Sequence, residues 1–323
     1  MVRILATVAG LGALAVGLVA FGARWLPISG HPSLIVAAAS PYLAVAAPVA
    51  MLLLVLGRRW MLTLVAVALT VALMWVYVPR YLGSSDADVA AVDLRVLTAN
   101  LGMGQADPAA FVALAGAAAD VVAVQEMTQE AADGLAAAGM DTAFPHRVIV
   151  PAPMASGIGI WSRHPIVHSG RIDGYALPMV GSRIRIPGVR VDTTVLSVHL
   201  AAPWPMPIAA WQSDLALFPD TLREVGRSAG AGAVIVAGDF NATADMAPFN
   251  RLLDQGYGDA GPEAGAGLAR TYPGRGMRPP LLGIDHILTK NCSAATAETV
   301  VVPGADHRGL LATLRVPVDM TAS

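Results

Sequence analysis

Asp239 and Asn241 close an apolar run in Gly238-Asp239-Phe240-Asn241. The run, Ala233-Val234-Ile235-Val236-Ala237, is bounded by glycine and reads as a buried strand. A carboxylate and a carboxamide two residues apart at a strand end project from the same face. Burying them without partners is costly, so they are expected to face something polar, such as a metal ion or a phosphate. Five more runs carry polar groups at the same place: Leu97-Thr98-Ala99-Asn100, Val122-Ala123-Val124-Gln125-Glu126, Leu196-Ser197-Val198-His199, Ile284-Asp285-His286-Ile287 and Gly304-Ala305-Asp306-His307-Arg308. Each alone has a plain structural reading. An Asn after a strand forms turns, a Glu in a first helical turn suits the helix dipole, and an Asp-His pair suits a solvated loop.

Together these groups suit one chemistry. Converging strand ends would bring them into one cleft. Glu126 and Asp306 offer hard oxygen ligands for Mg²⁺ or Mn²⁺. His307 is a candidate proton acceptor near neutral pH, and Asp285 could hold its ring and tautomer. Asn100, Asn241 and His199 can donate hydrogen bonds to a phosphate carrying developing charge. A metal opposite a general base, with donors around phosphorus, is the equipment for hydrolysing a phosphate ester.

The elements that must position these groups are strands alternating with short helices. Strands are predicted over 94–99, 121–125, 146–150, 157–162, 190–199, 233–238, 284–289 and 311–316. Helices are predicted over 107–117, 128–138, 207–227 and 246–256. Many strands with few helices imply an α+β sandwich of two sheets with flanking helices. Residues 84–92, with Gly83-Ser84-Ser85-Asp86 at their head, read as a linker.

Composition divides the 323-residue chain. Its hydrophobic share is 55%, its charged share 14%, and its mean hydropathy +0.59. Residues 1–83 hold five arginines and no acid; the other 16 basic and all 23 acidic residues lie in 84–323, a net charge of −7. Three stretches without charge, 5–23, 34–56 and 60–79, each approach the ~20 residues that span a bilayer as a helix. Pro41 and Pro48 are expected to kink the second, and Trp25, Trp60, Trp75 and Tyr77 sit where interfacial aromatics belong. The first stretch also fits a signal peptide, with Ala20-Phe21-Gly22 as a cleavage site. With three spans, Arg3, Arg58 and Arg59 fall on one side and Arg24 and Arg80 on the other. The positive-inside rule then puts the C-terminal region outside the cytoplasm, in a multi-pass protein of the cell membrane. Cys292 is the only cysteine, which excludes an intrachain disulfide or a cysteine-based zinc site.

The ordered set T-x-N, Q-E, S-R-x-P-I, V-H-L, G-D-F-N, I-D-H and D-H-R resembles the endonuclease/exonuclease/phosphatase superfamily, over about residues 93–316. The resemblance implies a four-layer α/β/β/α sandwich, here preceded by three transmembrane helices. It implies an anchor over 1–83, the linker over 84–92 and a catalytic domain over 93–323. Carried over residue by residue, Asn100 and Glu126 match the first metal-site positions and Asp306 a metal-site acid. Gly157 to Ile166 match a structural strand and turn. His199 matches a phosphate-contacting histidine, while Asp239 and Asn241 match the pair that orients the attacking water and the phosphate. Asp285 matches the partner of the catalytic histidine, His307. Ala305 stands where the family commonly has serine, and no Trp-Cys-Asp-Arg motif precedes Asp285. The implied activity is a Mg²⁺- or Mn²⁺-dependent phosphodiesterase or phosphatase.

The implied substrate is DNA, a nucleotide or a phospholipid head group. A net charge of −7 speaks modestly against duplex DNA. Arg163, Arg171, Arg183, Arg185 and Arg190 surround one predicted hairpin and read as a solvated face rather than a phosphate rim. The apolar, proline-rich segment 201–207 reads as packing, with a substrate-facing or membrane-touching loop as the other reading. No segment calls for an obligate protein partner. The competing class is a non-catalytic, membrane-tethered binding module that keeps the fold; it predicts missing site residues, and every matched position is filled.

Overall fold

The computed structural model describes residues 1–84, 89–205, 207–275 and 279–319. Residues 85–88 of the predicted linker lie outside them.

Two six-stranded sheets form the body of the chain. The first orders β11 (Ser293–Val301), β12 (Arg308–Pro317), β1 (Ala91–Asn100), β2 (Val121–Gln125), β4 (Ile158–Ser162) and β3 (His146–Val150). The second orders β5 (Ile166–Ile172), β6 (Met179–Ile184), β7 (Thr193–His199), β8 (Val234–Asp239), β10 (Asp285–Lys290) and β9 (Gly258–Asp259). Only β1–β2 and β7–β8 pair in parallel. Each parallel pair is joined through a helix, α6 (Pro108–Ala118) or α9 (Ile208–Ala229), because a parallel crossover needs a long connection.

Alternation along the strands builds the layers. Val96, Ala123, Val195, Ile235 and Ile287 turn inward and meet between the sheets. Their neighbours Leu97 and Val122 turn outward onto Phe111 of α6 and Leu135 of α7 (Gln129–Ala137). On the other sheet, Leu196, Val236 and Leu288 pack outward on Trp211 and Phe218 of α9 and Phe249 of α10 (Ala247–Leu253). Full burial of each large side chain is worth about 1.5–3 kcal/mol, so these faces hold the strand ends firmly. Polar ties also cross the sandwich: Gln125 Nε2 donates to Ser197 Oγ at 3.1 Å, and Ser197 Oγ donates to the Val124 carbonyl at 3.2 Å. The fold is an α+β sandwich, as the alternating pattern implied.

The strand spans missed by the sequence reading are β5, β6, β9 and β11. β5, β9 and β11 lie at sheet edges. β5 and β11 are largely solvated and rich in Ser, Gly, Ala and Thr, so no apolar alternation marks them.

The N-terminal region departs from three simple spans. Helix α1 (Val2–Ala23) and the run Trp60–Leu82 are long and apolar enough to cross a membrane. Between them the expected span 34–56 is two helices, α2 (His31–Leu43) and α3 (Ala46–Leu56), bent by 62°. Eleven residues of α3 reach about 16 Å, short of the ~30 Å hydrocarbon core. Helix α3 packs with α1 and α4 (Trp60–Tyr77) through Leu14, Ala47, Leu54, Ala66 and Leu69. Glycine allows the close approach: a Cβ on Gly10 would come within 2.9 Å of Leu54 Cγ. Helix α2 leaves that bundle, and its Leu34 and Ala37 join Trp211 and Leu200 in the outer core of the second sheet.

The two parts are also tied by polar groups. Arg24, just past α1, and Arg80, in the turn α5 (Pro79–Leu82), both bond the buried carboxylate of Asp245. Gln212 Nε2 donates to the Ile28 carbonyl at 2.7 Å.

Candidate active site

Register brings the site together. On the second sheet His199 sits opposite Asp239 across β7–β8, and Asp285 sits opposite Asp239 across β8–β10. On the first sheet Asn100 sits opposite Gln125, with Glu126 next in the chain. The two sets face each other: Asn100 Nδ2 donates to Asp239 Oδ2 at 3.1 Å and to Glu126 Oε1 at 3.0 Å. All six strand ends singled out in the sequence thus reach one cleft.

Local backbone aims these groups. Glu126 and Asn241 both take left-handed φ, 59° and 48°, which non-glycine residues rarely adopt. In that conformation Glu126 Oε2 accepts the Met103 N–H at 2.7 Å. The turn at Asn241 is closed by its own N–H on Asp239 Oδ1 at 2.8 Å. Gly102 must be glycine, since a Cβ there would lie 2.8 Å from Asp306 Oδ1.

His307 Nδ1 lies 2.9 Å from Asp285 Oδ2, so Nδ1–H donates to that carboxylate. The other nitrogen, Nε2, then points at Asp239 Oδ2, 3.8 Å away. The ring packs on Tyr272, with centroids 4.9 Å apart. Burial disfavours charge on His307, but Asp285 and then Asp239 outweigh it and push the ring up to about 10. Burial, then the neighbouring Asp285, pushes the carboxyl of Asp239 up, against the pull of His307 and His199.

His199 Nδ1 bonds the Ala155 carbonyl at 3.1 Å. Its Nε2 stands 3.8 Å from Glu126 Oε1 and 3.7 Å from Asp239 Oδ2, between the two acids. Asn241 uses one amide N–H on the Leu200 carbonyl at 2.9 Å, which leaves its second N–H to donate elsewhere.

Two groups of residues could hold a cation. Donor atoms of Asp239, Asp285 and His307 lie within 4.8 Å of one another. In that group, however, Nδ1 of His307 is already spent on Asp285, the geometry of an oriented proton acceptor. The second group is Asn100, Glu126 and Asp306. Asp306 Oδ1 is buried and, among the described residues, has no hydrogen-bond partner. An unpaired buried carboxylate oxygen beside Gly102, in a set of oxygen donors, fits a hard divalent ion.

The sequence reading missed several supporting residues. His286 is turned away from the cleft and bonds Asp259 Oδ2 at 2.9 Å and the Ala242 carbonyl at 3.0 Å, beneath Phe240. Its opposite facing to Asp285 follows from strand alternation and was readable. Ala305 is buried in the outer core of the first sheet, a place with no need for a serine hydroxyl. The arginines around the hairpin are spent elsewhere: Arg171 on Asp173, Arg185 on Asp192, Arg190 on Asp319 and Arg183 on Ser228. They form a solvated face, as read.

A sequence profile described as the Endonuclease/Exonuclease/phosphatase family matches residues 97–315. No curated protein matches the chain significantly. Among solved structures, a conserved protein of unknown function from Enterococcus faecalis V583 is 16% identical, over 68% of this chain and 99% of that one, with a TM-score of 0.55. An endonuclease/exonuclease/phosphatase family protein from Bacteroides thetaiotaomicron is 15% identical, over 71% and 100%, with a TM-score of 0.53. TDP2 from D. rerio, solved with a single-strand DNA product, is 15% identical, over 69% and 98%, with a TM-score of 0.53. At these identities the likeness is one of fold.

Proposed function

The chain belongs to the endonuclease/exonuclease/phosphatase family, and from that premise we propose that it is a membrane-anchored, divalent-metal-dependent phosphodiesterase or phosphatase. Members of the family are metal-dependent phosphoric ester hydrolases. The observation that carries the reading is the Asp285–His307 pair, 2.9 Å apart and aimed at Asp239, across the cleft from Asn100, Glu126 and Asp306. That arrangement suits a general base facing a cation site, the equipment for hydrolysing a phosphate ester.

The finer assignments belong to the same proposal. Residues 1–83 are the anchor, with α1, the bent pair and α4 as its spans; 84–92 link it to a four-layer α/β/β/α catalytic domain over 93–323. Glu126, Asn100 and Asp306 would hold Mg²⁺ or Mn²⁺, which when bound supplies positive charge to the phosphoryl oxygens. Asp239 orients the attacking water, and His307, held by Asp285, takes its proton. His199 and Asn241 donate to the phosphate; Asn100, expected to join them, has both amide N–H groups spent on Asp239 and Glu126. The domain lies outside the cytoplasm: Arg58 and Arg59 stay inside with Arg3, and Asp245 engages Arg24 and Arg80 at the opposite end. The neighbour solved with a single-strand DNA product keeps nucleic acid among the candidate substrates.

The test is a substrate panel on the full chain in detergent: plasmid DNA, bis-p-nitrophenyl phosphate and phospholipid, with Mg²⁺ or Mn²⁺ and with EDTA. Metal-dependent cleavage is expected and should vanish in EDTA. Full activity of His307→Ala on every substrate would remove the proposed base. Protection of the C-terminal region from protease in spheroplasts would overturn the outward topology.

A further inference from the structure

Three loops that rim the cleft also hold the anchor. The loop after His199 offers the Pro203 carbonyl to His31 Nε2 at 2.9 Å, and Trp204 stands edge-on to the His31 ring at 4.5 Å. The loop after Asn241 carries Asp245, bonded to Arg24 and Arg80. The segment before Asp285 offers the Leu281 carbonyl to the Tyr42 hydroxyl. Its neighbour Leu282 bridges to Tyr272, which packs on His307. The cleft therefore opens beside the ends of the apolar N-terminal helices.

The rim there is apolar. Met154, before β4, is 65% exposed; Trp204 is 64% and Leu281 53% exposed. Helix α2 buries Leu34 and Ala37 on the catalytic core and leaves Ile35 and Tyr42 exposed on its other side. At the helix break, Tyr42, Val45, Leu73, Tyr77, Leu268 and Arg270 line a cleft of about 520 Å³. The Arg270 guanidinium lies over the Tyr42 ring, 5.4 Å from its centroid. Exposed Trp, Met and Leu around one opening are unfavourable in water and favourable at a bilayer interface. The arginines of the hairpin are engaged by Asp173, Asp192, Ser228 and Asp319, and Arg275 is tied to Gln105 and the Gly304 carbonyl.

We infer that the substrate is a phospholipid of the same bilayer that holds the anchor, with its phosphate entering the cleft from the membrane surface. This rests on the phosphoric ester hydrolase reading and names its substrate class. The reaction consumes one water. The water oxygen bonds to phosphorus, one P–O ester bond breaks, and the leaving alkoxide takes the proton that His307 removed from water. The products are diacylglycerol and a phosphorylated head group, or phosphatidate and the free head-group alcohol.

The test uses the full chain in liposomes of equal parts phosphatidylcholine and phosphatidylglycerol with Mg²⁺, assayed for both product pairs. Bis-p-nitrophenyl phosphate and a single-stranded DNA oligonucleotide are run in parallel. Lipid products are expected, and Trp204→Ser with Met154→Ser should lower the ratio of lipid to soluble-ester hydrolysis by about tenfold. Cleavage of the soluble ester or of DNA without either lipid product would overturn the lipid inference and leave the hydrolase reading standing. An equal loss on both substrates in the double variant would also overturn it. No hydrolysis of any substrate would sink the hydrolase reading itself.

Discussion

Arg80 Nη2 lies 3.0 Å from Asp245 Oδ1, and the two side chains are only 9% and 3% exposed. The pair joins the end of the apolar run Trp60–Leu82 to the loop four residues beyond Asn241. Arg80 also donates to the Ala244 carbonyl at 3.2 Å, and Arg24 joins from the end of α1. The guanidinium of Arg80 stacks on Tyr77, 5.1 Å from the ring centroid. On the other side His286 holds the Ala242 carbonyl. The loop that follows Asp239 and Asn241 is thus clamped between the sandwich and the N-terminal helices, so those helices help hold the candidate site in place.

Breaking this clamp should be costly. Asp245→Ala leaves two buried guanidiniums without a counter-charge, and losing one partner of a buried pair costs about 3–5 kcal/mol. Thermal unfolding of the full chain in detergent should show a clearly lower midpoint, with Asp245→Asn intermediate. Deleting residues 1–83 strips Asp245 of both arginines and uncovers the core beneath Leu34 and Ala37, and should lower both stability and kcat. Unchanged kcat and Tm in that deletion would show the anchor to be a passive tether.

The pair of Asp285 and His307 predicts a kinetic signature. Asp285→Asn frees the imidazole to take the wrong tautomer, and kcat should fall by up to about 10⁴-fold with little change in KM. His307→Ala should lose about 10²–10⁴-fold. A loss seen mainly in KM would mean that the pair binds substrate and does not move a proton.

Most of the site was legible because its residues break a pattern. Asn100, Glu126, His199 and Asp239 each close an apolar run, Asp285 opens β10 and His307 precedes β12; register and the His307–Asp285 bond then carry them to one place. The long apolar N-terminal helices were legible from the absence of charge. What stayed hidden were contacts between residues far apart in the chain. Arg24 and Arg80 looked like loop charges, and Asp245 is separated from them by 165 residues or more. The kink between α2 and α3 was foreseen from Pro41 and Pro48, but not that a 62° bend divides the stretch into two short helices. Pro41 and Pro48 are tolerated in straight and broken membrane helices alike, so composition cannot separate a crossing from a turn.

Glu126 and Asp306 should govern metal use. Glu126→Gln and Asp306→Asn remove charge from the hard-oxygen set and should raise the Mg²⁺ concentration for half-maximal activity by at least about tenfold. Direct Mn²⁺ binding, followed by electron paramagnetic resonance, should weaken in parallel. Asn241→Ala should instead lower kcat with metal affinity kept. If all three variants bind Mn²⁺ like the wild type, the cation sits elsewhere, with the Asp239, Asp285 and His307 group as the next candidate.

His286 gives a pH dependence of stability. Burial lowers its proton affinity, but Asp259 beside it, with the Ala242 carbonyl, outweighs that and raises its pKa in the folded chain. A raised folded pKa means that the folded state binds the proton more tightly than the unfolded one. The resulting stability is fully present below the unfolded value of about 6.5 and is lost as pH rises through the folded pKa. His307 titrates in the same direction, so the wild type alone cannot isolate the effect. The informative quantity is the Tm difference between wild type and His286→Gln across pH, in detergent. It should be largest below about pH 6.5 and shrink steadily above it, and Asp259→Asn should abolish the trend. A difference that stays flat with pH would show that His286 is neutral in the fold and supports the Ala242 turn by its hydrogen bonds alone.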